Sequence, residues 1–416
     1  MSTAEPTSFW QQSTERAPFP APARLPAYAD ALVIGGGALG TAVCYWLARA
    51  GLRTVLLEQH GLGWGASGRN AGLMLAGAGP LEDPALLRQI LAEEHLEVGY
   101  HQPGHLALAS GPEIWSRICE EVARRAPQLP PLHALDRAAC EDLLGTRIAP
   151  GFWGGRWLPS GGAVHPLRLI DGLATAAAAR GAVIATETVV QSIAHAGADL
   201  HVATSRGVVR AGALVCACHS ACADLLPELA PCFRPIRGQM LATEPLPPLF
   251  RMGMAVDWGT LYWRQAENGT VLLGGYRRLD PEAETGQHAA LNPLIQTALE
   301  RFLPEAFPEM PPVRVAQRWA GIMDETPDGR PLAGPAPLTS GCWVLAGFGG
   351  HGLPGALGFA HALAQAVVTG TIPPAIQPYN PARHTDAAAS GGPCERKADN
   401  ARRSDRARTR RADSAG

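Results

Sequence analysis

No run of about 18 apolar residues, the length a membrane-spanning helix needs, occurs in this 416-residue chain. No transmembrane segment is therefore expected. The N-terminus lacks a basic stretch followed by an apolar one, so no secretory signal is expected either. An excess of charge is also missing. The formal net charge is −2, which argues against nucleic acid as a partner. The balance hides an asymmetry: residues 395–416 hold eight Lys/Arg and four Asp/Glu. Beyond residue 383 aromatic residues vanish and arginine dominates, so 383–416 read as a disordered basic tail. The nine cysteines form no paired framework. Without an export signal they read as reduced thiols in a cytoplasm. Cys216, Cys218, His219 and Cys222 cluster, but C-x-C-H-x-x-C matches no zinc template, so no metal is expected.

What is present is enough apolar residue, 46% of the chain, for two sizeable cores. The most informative stretch is residues 31–58, ALVIGGGALGTAVCYWLARAGLRTVLLE. Leu32, Val33 and Ile34 suit a buried parallel strand. Gly35, Gly37 and Gly40 supply G-x-G-x-x-G. They allow a sharp turn, a close approach of pyrophosphate, and close packing of helix on strand. A helix from about residue 38 to 50 then aims its free N–H groups, beginning with Ala38 and Leu39, at the phosphates. Gly51 stops it, and residues 53–57 form a second strand. Glu58, followed by Gln59, falls where a carboxylate accepts from a ribose 2′-hydroxyl. This predicts FAD or NAD rather than NADP. Residues 61–74, GLGWGASGRNAGLM, are too rich in small residues for a core element. They suit backbone running against a flat, extended ligand, with Ser67, Arg69, Asn70, Ala71 and Gly72 along it.

Three motifs, GGGALG, GASGRNAG and a late TPDGRPLAGP…LAGFGGHG, occur in that order. Together with a leading SFWQQST arm they resemble the FAD-dependent D-amino-acid-oxidase-like superfamily. The similarity runs from about residue 8 to 380 and looks closest to γ-glutamylputrescine oxidoreductase-like and glycine- or sarcosine-oxidase-like members. It implies an α/β plus α+β architecture: a Rossmann-like FAD-binding domain and a discontinuous second domain on a mostly antiparallel sheet. Residues 29–82, 161–226 and 320–382 are expected in the first, and 83–160 and 227–319 in the second. Residues 1–28 are expected to form a surface arm.

The resemblance also assigns roles. Val189, Gly347, Gly349, Gly350, His351, Gly352 and Leu353 are expected at the flavin. His351 is expected to add a proton-linked positive charge where a helix N-terminus favours the reduced form. The implied reaction is oxidation of a C–N bond, with hydride passing to the flavin and an imine released for hydrolysis. Tyr262, Arg264 and Arg237 are expected to hold a carboxylate-bearing amine or amino acid. Trp258 and Trp263 are candidate pocket walls, each better suited to core packing. Dioxygen, a quinone or a redox partner would reoxidise the flavin.

Three departures narrow the reading. Where relatives carry a carboxylate-binding arginine in a GLRP-type strand, this chain has Gly321-Ile322-Met323-Asp324, with Met323 in the arginine's place. Gly321 stands where a cysteine, and Arg69 where a histidine, anchors flavin in other branches. Pro354 matches a lysine. Non-covalent FAD is expected. Two alternatives remain open: oxidation of a 2-hydroxy acid or polyol phosphate, and a non-catalytic subunit holding FAD in a larger complex.

Overall fold

A computed structural model describes residues 6–384, apart from 17–18, 20–21, 76–80, 126–128 and 198. Of the tail expected over 383–416, all but Arg383 and His384 lie outside the described residues. Both of these are packed: Arg383 donates to Asp328 and to four carbonyls of residues 330–331 and 379–380.

Two large sheets organise the chain. The first runs Leu332–Pro335, Cys342–Ala346, Gly207–Cys216, Tyr28–Ile34, Thr54–Leu57, Val183–Ala185. Its neighbours pair in parallel except for the Leu332–Pro335 edge. One face buries the helices Ala38–Arg49, Pro166–Ala179 and Gly352–Thr369. The near-continuous apolar strand Tyr28–Ile34 and the all-buried Thr54–Leu57 follow from covering both faces. The other face packs under the antiparallel strands Val190–Ala196 and Asp199–Thr204.

The second sheet has eight strands, from Val315–Glu325 and Arg234–Thr243 at one edge to Gly154–Leu158 and His133–Asp136 at the other. All its pairs are antiparallel except Gly253–Val256 with His105–Ala109. The helix Pro293–Ala306 closes its core, where Trp263 meets Phe250, Phe302 and Phe307. Glu267-Asn268-Gly269, a sequence that favours a tight hairpin turn, joins Leu261–Gln265 to Val271–Gly275. A third strand, Gly253–Val256, precedes them through a turn in which Asp257, Trp258 and Gly259 all have positive φ. Val315–Glu325 lies wholly in the second sheet, so the boundary expected at 320 falls inside a strand.

The N-terminal segment is more than a surface arm. Phe9–Ser13 forms a helical turn closed by a capping box from Ser8 and Gln11. Trp10 is buried, and its indole N–H donates to the Asn70 carbonyl at 2.7 Å.

Candidate functional site

The glycine turn after Tyr28–Ile34 is built for close approach. Gly35 has φ +109°, and a Cβ there would lie 2.5 Å from the Ala217 carbonyl oxygen. A Cβ at Gly40 would lie 1.8 Å from the Gly35 carbonyl oxygen, so the helix packs against the turn only without a side chain. At Gly37 a Cβ would meet the Ser67 hydroxyl at 2.9 Å. That hydroxyl accepts from the Ala38 N–H at 3.0 Å, so the early loop crosses the start of helix Ala38–Arg49. Glu58 accepts from the N–H groups of Gly36 (2.7 Å) and His60 (2.8 Å), and Gln59 is exposed beside it.

The loop is fixed by its own polar groups. Asn70 donates to the carbonyls of Ala66 and Ser67 and accepts from the Gly72 N–H. Arg69 is buried and donates to the carbonyls of Trp64, Pro6 and Ala320. It ties the loop to the second sheet beside Gly321, whose Cβ would sit 3.2 Å from that of Arg69. Ala71 is buried and Gly72 has φ +70°.

A cleft of about 360 Å³ runs from Ala38 and Leu39, past Ser67, Arg69, Asn70 and Ala71, to the second sheet. There Gly238, Met240, Tyr262, Gly321 and Met323 form one wall. Residues 348–354 form another. Gly347, Gly349 and Gly350 all have positive φ, and the turn opens the helix Gly352–Thr369. Glycines at each end and a helix N-terminus at each turn fit an extended, anionic dinucleotide. Arg277, Arg156, His105 and Trp258 line the cleft as well. Burial and Arg156 push the His105 pKa down to about 3, so this imidazole is neutral.

Several expected roles need correction. Arg264 shares a face with Tyr262 but donates to the carbonyls of Gly72 (3.2 Å) and Val164 (3.1 Å), beneath the early loop. Its guanidinium lies 5.3 Å from the Trp10 ring centre. It is a clamp between segments, not a cleft cation. Arg237 alternates with Gly238, so it faces the other side of the sheet. There it donates to the Ala283 and Ala290 carbonyls and lies 3.6 Å from Glu284. Val189 is exposed, with its N–H and C=O both bonded to Ser205, so it is not brought to the cleft. His351 does line it, but surrounding protein and the nearby Arg277 hold its pKa below the usual histidine value. The proton-linked charge expected there is not supported. Tyr262 faces the cleft, with its hydroxyl 3.4 Å from the Met240 sulfur, while Trp263 is core and Trp258 is a cleft wall.

Arg277 was not singled out from the sequence. It follows Tyr276, which has φ +60°, and this turn swings the side chain into the cleft, where it pairs with Glu325 at 3.1 Å. The double arginine of GGYRR just after a strand was the available signal. Among the described residues, no group of three or more His, Cys, Asp or Glu is placed to hold a metal ion. None of the described helices is long and apolar enough to cross a membrane.

Comparison with known proteins agrees with this geometry. The glycine oxidase of Geobacillus kaustophilus superposes with a TM-score of 0.76 over 86% of this chain and 100% of its own, at 21% identity. The L-amino acid deaminase of Proteus vulgaris gives 0.76 over 87% and 99%, at 16% identity. In sequence, a probable oxidoreductase, OrdL, of Rhizobium meliloti (strain 1021) is 29% identical over 78% of this chain and 79% of its own. The gamma-glutamylputrescine oxidoreductase of Escherichia coli (strain K12) is 25% identical over 78% and 80%. The family model described as "FAD dependent oxidoreductase" matches residues 30–366, from the first strand through the turn that closes the cleft, and the chain belongs to this DAO family.

Proposed function

We propose that the chain oxidises the C–N bond of a secondary or ω-modified amine bearing a carboxylate, with FAD held non-covalently. The observation that carries this reading is the wall of the cleft. Met323 takes the place of a strand arginine, and Arg277 supplies a cation from a different element. A carboxylate anchored there enters from another direction than a simple α-amino acid held by the strand. Bound in the cleft, FAD supplies the two-electron acceptor, and the imine left on the substrate is hydrolysed by water.

The chain's own residues position and desolvate. Met240, Met323, Leu353 and Phe348 line the cleft with apolar surface, which disfavours a charged ammonium and favours the free amine. Burial raises the Tyr262 pKa, so its hydroxyl stays protonated and donates a hydrogen bond rather than acting as a base. Gly274 makes room for this arrangement, since a Cβ there would lie 2.1 Å from the Met240 sulfur and 3.0 Å from the Tyr262 ring.

The test is anaerobic mixing of the yellow protein with N-substituted amino acids, ω-amines and 2-hydroxy acids, following flavin absorbance. Bleaching by the amines alone is the expected result. Bleaching by hydroxy acids alone would replace C–N with C–O oxidation, and no bleaching by either would favour a non-catalytic subunit. Acid precipitation should leave the flavin in the supernatant. Colour retained in the pellet would mean a covalent bond.

A further inference from the structure

The strand Gly207–Cys216 ends beside Tyr28–Ile34, at the edge of the sheet where dinucleotides bind in open parallel folds. The chain there turns back over the glycine bend. The Cys218 nitrogen lies 3.2 Å from where a Gly35 Cβ would stand. The next residue, His219, has φ +57°, in the left-handed region that non-glycine residues seldom adopt. Its ring lines the cleft, and its side chain is 37% exposed.

The ring is held from behind. Its Nδ1 stands 3.2 Å from Oδ2 of Asp324, a carboxylate with no solvent exposure. The same oxygen accepts from the Ser220 N–H, which locks the carboxylate to the histidine's own turn. The Asp324 carbonyl accepts from the Gly349 N–H at 2.9 Å. The pair therefore joins the two glycine turns that bound the cleft. A buried carboxylate needs a compensating cation, and its neighbours on the strand, Met323 and Glu325, supply none.

We propose that His219, backed by Asp324, is a cofactor contact: an imidazolium on the cleft wall that meets an anionic oxygen of bound FAD. The assignment rests on FAD occupying this cleft. It differs from the proton-linked role expected of His351, whose pKa is held low. Burial opposes a charge on His219, but Asp324 outweighs it and raises its pKa. The other titratable groups near the ring are the Cys218 and Cys222 thiols on its own turn, and Arg277 and His351 line the same cleft. Glu58 lies beyond Cys218. Arg277 keeps its charge throughout this pH range, and burial holds the His351 pKa down, so neither accounts for a step there.

Because the protonated form binds the anion, FAD affinity falls as pH rises through the His219 pKa. Apoprotein titrated with FAD at pH 6 and pH 8.5 should bind roughly tenfold more tightly at the lower value, the worth of one charge-assisted hydrogen bond. His219→Asn, chosen because asparagine tolerates positive φ, should flatten the profile at the weaker affinity. Asp324→Asn should move the step to lower pH. ADP-ribose and riboflavin separate the two acceptors, the diphosphate and the ring carbonyl that gains negative charge when the flavin is reduced. A step with ADP-ribose places the contact on the diphosphate. A step absent with ADP-ribose, together with a lower midpoint potential of bound FAD in His219→Asn, places it on the flavin ring. If the variants do not fold, calorimetry of the wild type in buffers of different ionisation enthalpy replaces them, and FAD binding must take up protons in this range. A flat wild-type profile, or no proton uptake, overturns the proposal alone. Failure to bind FAD at any pH overturns the cofactor assignment with it.

Discussion

Arg264 and Arg277 carry the same charge and do different work. Arg264 is buried, and its pKa is pushed down to about 10, which still leaves it charged near neutral pH. Its bonds go to two backbone carbonyls on separate segments, Gly72 and Val164. Replacing it with glutamine should cost about 1.5–3 kcal/mol of stability, the range for a hydrogen bond from a charged group. Thermal unfolding should show this loss while KM for a carboxylated substrate stays within a fewfold of wild type. Arg277 reaches the cleft and is partly exposed. Arg277→Gln should raise KM for carboxylate-bearing amines by roughly tenfold or more, and leave the unfolding temperature nearly unchanged. Equal effects of the two substitutions on KM would return Arg264 to the substrate site. Alternation along a strand shows which residues share a face. It does not show where a long arginine side chain ends, and that is why the sequence pointed to Arg264.

At the scale of elements, the segment ahead of the first strand is the least expected contributor. Phe9–Ser13 packs against the early loop and the helix Pro166–Ala179. The Ser8 hydroxyl donates to the Gly68 carbonyl, Gln317 donates to that of Thr7, and Trp10 lies 4.5 Å from the His165 ring. Arg16 pairs with Asp171. This turn braces the loop that crosses the start of the dinucleotide helix, so Trp10→Ala should do more than open a void. The substitution should cost about 3–5 kcal/mol, typical of a large buried aromatic, and weaken FAD retention during gel filtration. Unchanged flavin occupancy would limit the segment to a stabilising role. The βαβ unit was legible in the sequence because its signals are local: three glycines, an apolar strand and an acid within 28 residues. Glu267-Asn268-Gly269 carries an equally local hairpin signal, and Gly347–Gly352 was legible through the family resemblance. The N-terminal turn was not, because its partners stand about 60 and 155 positions away. Gly253–Val256 was missed as well. It is four buried residues long, and its turn into the next strand puts Trp258 at positive φ, which a tryptophan seldom adopts and so does not announce.

For the molecule as a whole, the two sheets bury two histidines, His105 on the cleft wall and His165 behind the early loop, that fold without their protons. Burial first, with Arg156 adding to it, lowers the His105 pKa to about 3. Burial first, with Arg168 and Arg264 adding to it, lowers that of His165 to about 4. The unfolded chain binds these protons near the ordinary value of about 6.5, and the folded chain does not. Stability is therefore full above about pH 6.5 and falls as pH drops toward the folded values. For His105 alone the loss at pH 5 is on the order of 2 kcal/mol. His165 acts in the same direction, by less because it is partly solvated. Asp328 adds to the loss at still lower pH. Hydrogen bonds from Arg383 and Arg330 overcome its burial and depress its pKa, so its contribution goes as pH falls below the ordinary carboxylate value. Calorimetric unfolding at pH 7.5 and 5.0 should show a clear drop in Tm for the wild type. His105→Gln, with no proton to take up on unfolding, should be less stable at pH 7.5 but lose markedly less between the two values. An equal drop in both proteins would mean that the acid sensitivity arises elsewhere, and that the imidazole facing this cleft is solvated enough to carry a proton.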